Sequence, residues 1–116
     1  MTNPKRGEYL LSLADQTYNC KLNMDVMMRI EQNLGGSLLK VAQQMSEADI
    51  SASQLVAILT PCIRSSGTDI KDADVKKIVW EAGLTDAIGK VGEIISFIVT
   101  GGEEGEMGNE KKVVNG

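Results

Sequence analysis

A short alternating stretch over residues 8–22 precedes a chain that is helical in pattern, and that order limits the fold more than any other feature. Residues 8–14 put Tyr9, Leu11 and Leu13 on one side and Glu8 and Ser12 on the other, with Leu10 as the exception. Residues 17–22 set Tyr18, Cys20 and Leu22 against Thr17, Asn19 and Lys21. Period-two alternation over such short runs reads as a pair of half-buried strands. One hairpin cannot bury its apolar face alone, so the helices must supply the other half of the core. Asp15-Gln16 is the expected turn. It lacks the glycine that tight hairpin turns favour, which points to a loop longer than two residues.

The helical signals follow in order. Asn23 is an N-cap with Asp25 in the first turn, and Gly35 is a left-handed stop. The helix between them carries Met24, Met27, Met28, Ile30 and Leu34 as its apolar set. Ser37 caps a second helix with Leu38, Leu39, Val41, Ala42 and Met45. Ser51 and Gln54 form a capping box for a third, built on Leu55, Val56, Ile58, Leu59, Cys62 and Ile63. Pro61 lies inside that pattern, so a kink or an end near Thr60 is expected. Asp72 and Asp74 open a fourth helix with Val75, Ile78, Val79 and Ala82 inward and Trp80 beside them, and Gly83 ends it. Thr85 is the expected cap of the last helix, with Ile88, Val91, Ile94 or Ile95, and Ile98 inward. Gly89 and Gly92 in that helix each cost up to about 1 kcal/mol against alanine. Their presence implies a neighbouring backbone packed close, most readily within the fold.

The fold class is therefore α+β and mostly α: an N-terminal β-hairpin packed on a small bundle of about five short helices. Residues 1–100 read as one globular domain, with the hairpin over 8–22 and the helices within 23–99. Residues 101–116 begin with Gly-Gly-Glu-Glu-Gly-Glu and have no periodic apolar face. They read as a flexible acidic tail.

Several function classes are disfavoured. The net charge of −4 lacks the basic stripe that nucleic acid needs and speaks against anionic membranes. No apolar run approaches the roughly 20 residues that span a bilayer, and no apolar stretch follows the basic start. A cytoplasmic protein with reduced Cys20 and Cys62 is expected, a disulfide between them being left open. No histidine is present. No serine or cysteine sits in a nucleophile motif, and the paired glycines lack the lysine and spacing of a phosphate loop. Asp69, Asp72 and Asp74 miss the calcium-loop spacing and suit a helix N-terminus instead. No catalytic residue, metal or cofactor is expected, and a binding role ranks above an enzymatic one.

The run Asn3-Pro4-Lys5-Arg6-Gly7-Glu8, the hairpin, and then Arg29-Ile30-Glu31-Gln32-Asn33-Leu34-Gly35 resemble the gene transfer agent family of small phage proteins. That family starts with Asn-x-x-Arg-Gly-Glu before a hairpin and ends its first helix with Glu-x-x-Leu-Gly. The likeness spans about residues 3–100. The absent turn glycine and Pro61 depart from the pattern. The family carries two labels, tail assembly chaperone and tail tube component. The chaperone label implies a protein of the bacterial host cytoplasm that coats the helical tape-measure protein. Adaptable Met and Leu side chains suit such a client, whereas a tube ring normally needs a larger β-structure than one hairpin. The expectation is a phage or prophage tail assembly chaperone. A structural tail component and a small non-phage helical adaptor are the alternatives. The partner would be the tape-measure protein or other phage tail proteins, with room for a homo-oligomer. The expected partner-binding residues are Arg6, Glu8, Met24, Met27, Met28 and Leu39.

Overall fold

Two strands, β1 (Glu8–Leu13) and β2 (Gln16–Lys21), pair antiparallel with Leu13 opposite Gln16 and Glu8 opposite Lys21. The computed structural model describes residues 7–101. Arg6 and nearly all of the expected acidic tail lie outside them. The turn is Ala14-Asp15, one residue earlier than expected and only two residues long. Both residues have positive φ, 49° and 67°. That is the signature of a type I′ turn, whose twist matches the strands. The hairpin tolerates the strain of a left-handed alanine because Leu11, Leu13 and Cys20 are all buried beneath it, which fixes the register. At the open end the Leu22 N–H donates to the Gly7 carbonyl at 2.6 Å. Gly7 has φ +88°, and a Cβ there would meet the Leu22 carbonyl oxygen at 3.4 Å. The glycine of the Arg-Gly-Glu start thus has a structural task.

Five helices follow: α1 (Met24–Leu34), α2 (Leu38–Ser46), α3 (Ala52–Arg64), α4 (Asp72–Ala82) and α5 (Leu84–Val99). The caps act as their chemistry demands. The Val26 N–H donates to Asn23 Oδ1 at 3.0 Å, and Gly35 is left-handed at φ 73°. The Lys40 N–H donates to Ser37 Oγ, and Ser51 with Gln54 forms the full capping box. Glu31 adds a link between helices. Its carboxylate accepts from the Leu38 N–H at 2.9 Å, so the end of α1 satisfies an orphan donor at the start of α2.

The central helix is α3, which touches α1, α4, α5 and β2. Leu55 and the unbroken run Ile58 to Ile63 are buried in it. It continues through Pro61 to Arg64 instead of ending near Thr60. The reason lies on α1. Proline has no N–H to give to the carbonyl four residues back, and that carbonyl, on Ala57, accepts instead from Asn33 Nδ2 at 3.2 Å. A side chain from a neighbouring helix fills the gap in the ladder. Thr60 Oγ1 is buried with no hydrogen-bond partner among the described residues.

The hairpin lies with β1 on α4 and α5 and β2 on α3, while α2 packs on α1 and α5. Tyr9 anchors β1: its hydroxyl donates to Glu93 on α5, and its ring meets Phe97 edge-on at 5.5 Å. The start of α5 corrects two expectations. It begins at Leu84, directly after Gly83, with no side-chain cap, so Thr85 is already inside the helix. Among the described residues no backbone packs on its glycines either. A Cβ on Gly92 would meet only the end of the Met45 side chain at 3.5 Å, and Gly89 faces open space.

Candidate functional site

Among the described residues the most exposed large apolar side chains are Trp80 (84%), Met24 (67%), Leu39 (60%) and Leu10 (58%), followed by Val99, Met28 and Leu84. The sequence-expected residues fall among them unevenly. Met24 and Met28 sit one helical turn apart on α1, and Val26 and Ile30 take the buried face. Met28 borders a shallow hollow that ends at Gly36 and Ser37, where the chain turns towards Leu39 on α2. Met27 is half-buried and packs on the core. Met24 and Met27 line a second hollow of about 260 Å³ with Gly7, Leu22, Phe97 and Ile98. That hollow brings the residue beside Glu8 next to the methionines of α1. Glu8 itself lies on the outer face of the hairpin, its carboxylate 4.0 Å from Lys21 Nζ. Such an exposed pair adds little stability. Arg6 lies outside the described residues.

Trp80, expected beside the inner face of α4, points away from it. Val75 and Val79 are buried, whereas Trp80 stands in solvent one turn on from Lys76 and Lys77. Its position was open to view in the heptad: a residue one step past Val79 turns about 100° away from the buried stripe. Exposed tryptophan is a frequent anchor of protein interfaces.

Both cysteines are free and buried. Burial pushes the Cys20 thiol up from 9.0 to about 11. It pushes the Cys62 thiol further in the same direction, with the neighbouring Cys20 adding to the rise. These thiols stay protonated and behave as small apolar groups. Partial burial also raises Tyr18. Among the described residues no three His, Cys, Asp or Glu side chains come together as a metal cage, and no helix is long and apolar enough to cross a membrane. What the described surface offers is contact area: flexible methionine on α1, Leu39 on α2, and a separate tryptophan on α4.

Comparison with family models decides the lineage. Residues 6–101 match the family described as phage tail tube protein, GTA-gp10. The chain belongs to this family. Comparisons with curated proteins and with solved structures return no match. Among the described residues, four that carry the GTA-gp10 resemblance have architectural tasks in this fold. Gly7 closes the hairpin, Glu31 caps α2, Asn33 completes α3 and Gly35 ends α1. They keep the hairpin and helices in register.

Proposed function

We propose that this protein is a non-enzymatic structural component of a phage-type tail, working through contacts with other tail proteins. The match to the tail tube family over 6–101 is the observation that carries this reading. It supports the tube label over the chaperone label that composition favours. The surface supports a contact role. Met24, Met28 and Leu39 are exposed on two helices joined by one short turn. Flexible thioethers can follow an irregular partner surface, and the tryptophan on α4 supplies a second, rigid anchor. A small mostly helical body of this kind would sit in the tail beside larger subunits instead of forming the tube wall alone.

Transient binding of the tape-measure protein is a second reading, favoured by the paired methionines on α1, which suit a helical client. The test is a Met24→Glu, Met28→Glu double variant in a particle-producing strain. Tail assembly is expected to fail while the purified variant keeps its circular dichroism and melting point. Normal particle yield from the folded variant would remove this face from the proposal. Retention of wild-type protein in finished tails separates the structural reading from the transient one.

A further inference from the structure

The two edges of the hairpin differ, and the difference points to self-pairing. Leu22 and Gly7 are hydrogen-bonded across the open end, so by strict alternation Glu8, Leu10 and Ser12 turn their N–H and C=O groups away from β2. On β2 the outward groups belong to Thr17, Asn19 and Lys21. There the Lys21 N–H is already taken by Ser65 Oγ at 2.8 Å, at the end of α3. No hydrogen bond from another element reaches the outward row of β1 among the described residues. At its middle stands Leu10, 58% exposed on the solvent face. Proteins usually guard such an edge with lysine, proline or a bulge, and none of these interrupts β1.

We infer that β1 pairs antiparallel with β1 of a second copy about a two-fold axis at Leu10, joining the hairpins into one four-stranded sheet. This register is the one that gives every outward group of Glu8, Leu10 and Ser12 a partner. Leu10 faces Leu10 of the other copy, and Glu8 faces Ser12. Across the sheet the row then reads Thr17, Ser12, Glu8, Lys21. Ser12 and Thr17 already share a hydrogen bond at 3.1 Å, and Glu8 already faces Lys21. The carboxylate meets a hydroxyl, so no like charges oppose each other. A shift of the axis to Glu8 would oppose two carboxylates, and a shift to Ser12 would leave the Glu8 groups unpaired. The same surface patch serves both copies, as a closed two-fold dimer requires.

The inference stands apart from the tail reading, because its test uses the isolated full chain. Sedimentation velocity across micromolar concentrations is expected to show a monomer–dimer equilibrium. Leu10→Lys, which opposes two ammonium groups at the axis, should weaken it at least about tenfold. Leu10→Pro removes an outward N–H without touching the β1–β2 ladder and should do the same, with circular dichroism verifying the fold. Leu10→Cys should be captured as a dimer by a short bis-maleimide, since Cys20 and Cys62 are buried. A strictly monomeric wild type, a dimer indifferent to both Leu10→Lys and Leu10→Pro, or a Leu10→Cys dimer that resists cross-linking would each overturn it.

Discussion

The bond from Asn33 to the Ala57 carbonyl explains how a buried proline persists inside α3, and it can be measured. Asn33→Ala removes the donor at 3.2 Å. A net hydrogen bond contributes about 0.5–1.5 kcal/mol. Asn33 is exposed, so water can replace it in part, which places the loss at about 0.5–1 kcal/mol. Alanine also favours a helix over asparagine by about 0.6 kcal/mol, so the single variant should look almost neutral. The cycle with Pro61→Ala exposes the hidden interaction. That substitution restores the N–H that the Ala57 carbonyl lacks, and Asn33 becomes redundant. Asn33→Ala should then stabilise by about 0.6 kcal/mol, because the propensity gain stands alone. The coupling between the two sites should be about 0.5–1 kcal/mol in urea unfolding, with the propensity and cavity terms cancelling. An Asn33→Ala effect that is identical in both backgrounds would refute the argument.

Four other predictions follow from local geometry. Thr60→Val replaces a buried unpartnered hydroxyl with a methyl of equal size and should stabilise by about 1 kcal/mol, read as a shift of the urea midpoint. Gly89→Ala meets open space in mid-helix and should add up to about 1 kcal/mol, raising the melting temperature by about 4–8 °C per kcal/mol. Ser51→Ala breaks the capping box of α3 and should cost about 1 kcal/mol. The thiols give a pH dependence. Cys20 is held at about 11 in the fold against 9.0 when free, so unfolded chains release their proton first. Stability should fall as pH rises from about 9 through 11 and be flat with respect to these groups below that. A Cys20→Ala variant should lose part of that alkaline slope.

Much of the fold was legible because the punctuation is local. Asn23, Gly35, Ser37, Ser51 and Gly83 each act through their own neighbourhood, and each bounds a helix where its chemistry directs. What was not legible depends on distant partners. Helix α3 continues past Pro61 because the Ala57 carbonyl is satisfied by Asn33, a side chain 24 positions before it in the chain. The hairpin accepts Ala14 at positive φ because the core beneath it outweighs the turn. The candidate site was legible only in part. Met24, Met28 and Leu39 were expected and are exposed, whereas Met27, expected beside them, packs half-buried against the core. Helical position separates them from Val26, Ile30, Leu38 and Val41, whereas the protrusion of Trp80 follows from counting one residue past Val79.

The central claim is that this chain is retained in a tail as a structural part. Quantitative mass spectrometry of purified particles from a strain carrying the gene tests it most directly. The account predicts that peptides from residues 7–101 occur in a fixed ratio to the other tail proteins, across preparations and after high-salt washing. Peptides abundant in lysates during assembly but missing from finished particles would contradict it.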